Sequence, residues 1–300
     1  KKLYRIFTAN GWSWADSWVR NGRFRPHLEV GGAATGRWGA SGGGALQLPA
    51  EIRSAILAPE GEVFLVSDGS QIEPRILAAL SHDEALASAG RGTDMYAGIA
   101  ELARLEGVAL TERAQAKVGL LAIMYGGRSG EIGALLPHVA KLFPRAMEFT
   151  ERAARIGEVG GQVTTFLGRP SPAPDERFKR TVADRSTPAA ESRAVSLSRS
   201  YGRMTRNFVV QGTAAEWALC WMGRVRSRLL SETVFGSPMR TKIVYFLHDE
   251  LLLCGPKLEA ERVERILRES AAEAARLLFG TVPVEFPVSV TVTTNYAEGK

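Results

Sequence analysis

Two stretches of this chain set a carboxylate directly at the end of an apolar run, and a long helical pattern separates them. The first is Val63-Phe64-Leu65-Val66, which passes through Ser67 to Asp68. The second is Ile243-Val244-Tyr245-Phe246-Leu247, which passes through His248 to Asp249 and Glu250. Short apolar runs bounded by turn residues read as buried strands. A carboxylate at the end of such a strand is costly unless something cationic meets it. Two such acids, remote in sequence, suggest one site for a divalent metal.

The rest of the chain fits around those strands. Residues 10–26 read as the end of a Trp-rich helix followed by a short strand, Arg23-Phe24-Arg25. Residues 31–44 are Gly-rich and read as a loop. The strand at 62–68 feeds a helix from about Gln71 to Ser81, where Pro74 is tolerated because it falls in the first turn. Residues 83–160 are helical, with candidate helices at 94–105, 111–125 and 144–157. Residues 163–169 suggest a strand and turn, and 170–190 an exposed loop. A helical pattern then runs from 192 to 230, with Gly202 a candidate break. The tail reads as strands at 241–247 and 251–254, a helix at 257–278 and a last strand at 284–293. Strands that bracket a helical insertion predict an α+β fold.

With 300 residues the chain can bury a large core. No apolar run is long enough to span a membrane, and the basic start lacks the apolar stretch and cleavage site of a signal peptide. The cysteines, Cys220 and Cys254, read as buried free thiols rather than a disulfide or zinc site, which suits a reducing cytoplasm. The formal net charge of +6 permits a polyanionic partner. The cations crowd one stretch: Arg177, Lys179, Arg180, Arg185, Arg193, Arg199, Arg203 and Arg206.

Four clusters carry candidate chemistry. Asp68 and Asp249, with the Gly69 carbonyl, offer the hard oxygen ligands that Mg²⁺ prefers; the same residues would also suit turns or helix caps. Arg113, Lys117, Leu121 and Tyr125 recur every fourth residue and form one helical stripe. Its cations lie at the N-terminal end, where the helix dipole favours a triphosphate. An ordinary solvated face would look similar. Arg203, Asn207 and Gln211 share another stripe, suited to phosphate and base edges or simply to a polar helix face. Arg37 and Gln47 flank the Gly-rich segment and could touch a nucleic-acid backbone or belong to a structural loop.

Taken together and in order, these clusters resemble the polymerase module of the DNA polymerase I family (family A). Asp68-Gly69-Ser70-Gln71-Ile72-Glu73-Pro74-Arg75 looks like its motif A, Arg113 to Lys117 through Tyr125-Gly126 like motif B, and Leu247-His248-Asp249-Glu250 like motif C. Thr35-Gly36-Arg37 and Asn207 to Gln211-Gly212-Thr213 match two further family motifs. The run from Asn207 to Trp217 is most similar to the short actinobacterial bifunctional 3′–5′ exonuclease/DNA polymerases.

The resemblance implies a right-hand polymerase: an antiparallel palm sheet, helical fingers and a mostly absent thumb. The implied division is 1–30 as a thumb remnant and entry to the palm, 31–82 and 205–300 as palm, and 83–204 as fingers. It implies a template-directed DNA polymerase of replication or repair, a transferase that adds deoxynucleotides to a primer 3′-hydroxyl and releases pyrophosphate. Asp68 and Asp249 would hold two Mg²⁺ ions, or Mn²⁺, with Gly69 and Glu250 assisting. Lys117 would join the two aspartates in catalysis. Gln71, Glu73, Tyr96, Arg113, Lys117, Leu121 and Tyr125 would bind the nucleotide. Arg37, Gln47, Arg203, Asn207, Gln211 and His248 would bind primer–template DNA.

Further implications are a monomer in the cytoplasm, associated with the nucleoid, with no membrane partner. The sequence departs from the family pattern in four places. Gly69 follows Asp68 where Tyr is usual, Leu121 replaces an aromatic residue, Tyr96 replaces a His, and the segment around Gln47 lacks an Asn. Asp-Gly also occurs in motif A of single-subunit RNA polymerases, a reading that Glu73 opposes. A non-catalytic primer–template-binding module on the same fold is the other alternative.

Overall fold

The computed structural model describes residues 2–44, 46, 48–92, 94–110, 112–127 and 130–299. The chain divides into two compact units. One comprises Lys1–Gly69, Ala218–Ala271 and Val288–Lys300; the other comprises Ser70–Trp217 and Ala272–Pro287.

The first unit is built on a four-stranded antiparallel sheet in the order Val288–Thr293, Glu62–Gly69, Glu250–Pro256, Lys242–Leu247. The strand Glu62–Gly69 is central, which explains why its sequence is apolar almost throughout rather than alternating. Alternate residues face opposite sides. Phe64 and Val66 join Leu252 and Tyr296 in one buried cluster. Leu65, Leu251 and Leu253 are almost fully buried, as are Val263, Ile266 and Leu267 of the helix Ala260–Phe279. The Trp221 indole donates to the Leu267 carbonyl at 3.0 Å. The last strand starts at Val288, not 284, because its ladder to the central strand begins where Val288 pairs with Gly69.

The Gly-rich segment is not all loop. Gly39–Gly42 forms a ribbon with His27–Glu29. Glycines carry no apolar alternation, so nothing in their sequence marks a strand whose pairing is purely backbone.

The second unit is helical. Its helices include Ile72–Ser81, Glu84–Ala89, Met95–Leu105, Arg113–Tyr125, Gly130–Leu142 and Pro144–Glu158. Asp83 shows how these are stitched together: one carboxylate oxygen caps its own helix through Leu86 N at 3.0 Å, and the other accepts from Ala146 N at 3.1 Å. The helix expected from 111 is described from Arg113; Thr111 lies outside the described residues.

Three expectations for this unit need correction. Residues 163–169 make no strand, only an isolated bridge between Thr164 and Pro170. The backbone donors there go instead to a helix: Phe166 N donates to Thr213 Oγ1 at 3.0 Å and Leu167 N to Glu216 Oε2 at 3.1 Å. The expected loop at 170–190 contains the helix Glu176–Ala183, capped by Asp175 and anchored by Phe178, whose ring lies 4.6 Å from that of Tyr201. A single apolar anchor leaves too little periodicity to read. Gly202 does not interrupt the helix Pro188–Ser231. A Cβ there would meet Glu158 Cγ at 2.6 Å and the Ala154 carbonyl oxygen at 2.9 Å. The glycine lets two helices approach closely rather than ending one. Among the described residues, no helix is long and apolar enough to cross a membrane.

Candidate active site

The hairpin between Lys242–Leu247 and Glu250–Pro256 decides where the acids lie. Leu247 pairs with Glu250, so His248 and Asp249 form a two-residue connection. His248 adopts a left-handed backbone, φ +58°, as tight hairpins require of a central residue. In the neighbouring ladder Asp68 pairs with Glu250, and Gly69 N donates to the Asp249 carbonyl at 2.9 Å. Asp68 and Asp249 thus stand at one end of one sheet, both half-buried. Gly69 sits between them in the ladder.

Glu250 is 1 % exposed. The Tyr296 hydroxyl donates to its Oε1 at 2.5 Å, and Arg53 lies 5.2 Å over the Tyr296 ring. Burial, then the charge of Glu250, pushes the Tyr245 phenol up to about 12; the same two causes, in the same order, raise Tyr296 further. Among the described residues no group of three or more His, Cys, Asp or Glu side chains converges as a metal cluster. The donors at this sheet end are carboxylate and backbone oxygens, a set that fits Mg²⁺ better than a softer ion.

The two raised phenols have a consequence for stability. Each folded-state pKa lies above its unfolded value near 10, so the stabilisation is complete below pH 10 and drains away as pH climbs toward 12. The melting temperature should fall steeply over that range. Tyr296→Phe should flatten the fall, and an unchanged alkaline profile in that variant would contradict the assignment.

The second unit gathers the residues of the other helical stripe. On Arg113–Tyr125 the face bearing Ala116, Leu120 and Ile123 is buried, leaving Arg113, Lys117 and Tyr125 exposed and Leu121 half-buried. The Tyr125 hydroxyl donates to Glu73 Oε2 at 2.7 Å. Arg113 Nε donates to Asp94 Oδ2 at 2.6 Å and its guanidinium lies 5.7 Å from the Tyr96 ring centre. Gln71, with φ +55°, donates its amide to Asp94 Oδ1 at 3.0 Å and accepts from Met95 N at 2.7 Å.

Asp94 therefore joins three helices. Burial raises its pKa, but hydrogen bonds from Arg113, Gln71 and Ala97 N outweigh that and hold it below the usual carboxylate range. Tyr96 is 7 % exposed; burial, then nearby Glu73, raises its phenol. The sequence pattern hides Asp94 by making it the first residue of a helix at 94–105. It is the N-cap, and an Asp just before an apolar-periodic run is the signal that marks one.

The family model for DNA polymerase family A matches residues 16–298. The chain belongs to DNA polymerase family A. It is 30% identical over 302 residues to the DNA polymerase I of Chloroflexus aurantiacus, covering 93% of this chain and 29% of that protein. It is 29% identical over 294 residues to the thermostable DNA polymerase I of Thermus aquaticus, covering 91% and 32%. The chain spans about a third of the length of these relatives. Among solved structures, the POL domain of Pol1 from M. smegmatis, in complex with DNA primer-template and dNTP, matches with a TM-score of 0.78 and 22% identity, covering 99% of this chain and 52% of that one. That likeness shows the fold: the α+β palm and fingers of a right-hand polymerase.

Within this family-A chain the remaining candidates fall as follows. Arg203 is exposed, while Arg37, Asn207 and Gln211 are half-buried. The Asn207 amide nitrogen is buried and has no hydrogen-bond partner among the described residues. Gln47 lies outside the described residues. Arg206, one of the crowded cations, is 2 % exposed; it pairs with Glu151 and donates to the Ile123 carbonyl at 3.1 Å. Its charge is spent inside the protein and is not part of any basic surface.

Proposed function

We propose that this chain is the polymerase module of a template-directed DNA polymerase, extending a primer on a DNA template with deoxynucleoside triphosphates in repair or replication. One observation carries the reading: the ladder that pairs Asp68 with Glu250 and bonds Gly69 to Asp249 brings two remote strand-end acids to the same end of the sheet.

In this reading residues 31–82 and 205–300 serve as palm, 83–204 as fingers and 1–30 as part of a thumb and the entry to the palm. Asp68 and Asp249 would hold two Mg²⁺ ions, or Mn²⁺, assisted by the Gly69 carbonyl and by Glu250, whose carboxylate accepts from the Tyr296 hydroxyl. The ions, when bound, offset phosphate charge and lower the pKa of the primer hydroxyl. Arg113 and Lys117 bind the triphosphate, and Lys117 supplies a proton to the leaving pyrophosphate. Arg113 is engaged with Asp94, so triphosphate binding must compete with that carboxylate.

Gln71 and Tyr96 support this end of the nucleotide site, and Leu121 offers the base an aliphatic surface with weaker stacking than an aromatic ring. Arg37, Gln47, Arg203, Asn207, Gln211 and His248 contact primer–template DNA. Template pairing supplies the sequence information, so these contacts need not read bases. The protein acts as a monomer in the cytoplasm, on the nucleoid. The run from Asn207 to Trp217 favours kinship with the actinobacterial bifunctional exonuclease/polymerases.

Glu73, held by Tyr125, excludes a ribose 2′-hydroxyl. Mg²⁺-dependent primer extension with deoxy- and ribonucleotides tests the reading. The wild type should extend with deoxynucleotides and discriminate against ribonucleotides. Glu73→Ala should raise ribonucleotide insertion roughly tenfold or more. No metal-dependent extension at all would overturn the polymerase assignment, and unchanged sugar selectivity would remove the gate role from Glu73.

A further inference from the structure

The Arg-rich stretch is only partly accounted for by the residues above. Among the described residues, three of its eight cations pair with acids: Lys179 with Glu176, Arg185 with Glu191, and Arg206 with half-buried Glu151. Arg199 and Arg203 are set apart by lining one groove together. Both are exposed, and neither makes an ion pair among the described residues. They lie four residues apart on the helix Pro188–Ser231, hence on one face and about 6 Å apart along its axis. That interval is comparable to the distance between neighbouring phosphates along a nucleic-acid strand.

The same face carries a groove of about 410 Å³ lined by Ser192, Val195, Ser196, Arg199 and Arg203. The spacing of these residues marks one helical stripe. In the other direction the stripe continues to Asn207, with its unpartnered buried amide nitrogen, and to Gln211. The Arg203 stem runs close to Gly126, whose φ is +78°: a Cβ there would lie 3.2 Å from Arg203 Cγ. A guanidinium fork donates to two phosphate oxygens at once, and serine hydroxyls add donors without charge. No aromatic ring lines the groove, so it offers no platform for stacked bases.

We propose that the Ser192–Arg203 groove is a phosphodiester-backbone site that extends the DNA-binding stripe by about three further helical turns, with Arg199 as its principal contact. The choice of ligand rests on the polymerase reading. The groove grips a strand through its phosphates and reads no bases. It therefore adds affinity and salt sensitivity, not sequence preference.

The test measures binding of a fluorescent primer–template, with and without a 5′ template overhang, across a salt series. Arg199→Gln should weaken binding about threefold or more at low salt. It should also reduce the slope of log K against log salt by about 0.9 if a duplex strand is held, or about 0.7 if only the overhang is held. Loss on both DNAs identifies the duplex strand as ligand, and loss confined to the overhang DNA identifies the single strand. Arg199→Lys should keep most of the slope. Arg177→Gln removes the same charge from the exposed helix Glu176–Ala183 and should leave the slope unchanged.

Wild-type affinity and slope in Arg199→Gln would overturn the proposal. So would an equal loss in Arg177→Gln, because general charge would then explain both. Primer extension by the unaltered chain separates the two readings. An extending enzyme indifferent to Arg199 refutes the groove alone. Arg199-dependent binding without extension refutes the polymerase reading alone.

Discussion

Asp249→Ala should reduce Mg²⁺-dependent primer extension by at least about 10³-fold, a loss of about 4 kcal/mol of transition-state stabilisation. The expectation follows from what the side chain does and from what the backbone does without it. Asp249 occupies the second position of a two-residue hairpin, and the fold uses its carbonyl, which accepts from Gly69 N at 2.9 Å. Alanine keeps that carbonyl and removes only the carboxylate. The sheet should survive, and duplex binding, assigned to other residues, should stay close to wild type. Single-turnover extension at saturating DNA, beside a thermal melt and a binding titration, distinguishes loss of chemistry from loss of fold. Extension at the normal rate would show that Asp249 holds no catalytic metal.

Arg75→Met should destabilise the protein by about 4 kcal/mol, the largest effect expected from a residue outside the chemistry. Arg75 is fully buried. Its guanidinium donates to the carbonyls of Ser70, Gly90, Gly92 and Glu285 at 2.5 to 2.9 Å. The Glu285 carboxylate meanwhile accepts from Gly92 N at 3.0 Å. Burial depresses the pKa of Arg75, countered by Glu285 and Asp94, but guanidinium stays charged at any accessible pH. Methionine fills much of the volume and satisfies none of the four acceptors. A denaturant titration with an unchanged m-value should record the loss. Arg75→Lys should recover only part of it, since an ammonium cannot reproduce the planar fork. A loss below about 1 kcal/mol would mean that the carbonyls find other donors.

Much of the site was legible because its signals are local. A buried central strand must be apolar on both faces, so Val63–Val66 announced itself, and a carboxylate at its end stood out against that run. The stripe Arg113, Lys117, Leu121 and Tyr125 was visible because a helix repeats every 3.6 residues. The helix does expose that face and bury the one bearing Leu120 and Ile123. Arg75 stands in the sequence only as one member of a motif; nothing local marks an arginine that will be buried. Glycine misled twice, at Gly202 and in 39–42, since a missing side chain looks alike in a loop, a ribbon and a helix crossing.

What the sequence by itself determined was the identity and local setting of the acids, the cationic helix stripe and the α+β composition of the fold. All of these follow from burial within single elements. What only the tertiary structure decided was pairing. It placed Val288–Thr293 beside Glu62–Gly69, turned Glu250 inward to Tyr296, spent Arg206 on Glu151 and made Asp94 the hinge-pin of Gln71 and Arg113. The physical reason is that each buried donor, acceptor and charge must find a partner. Which partner it finds is set by distance in space, and distance along the chain carries almost no record of it.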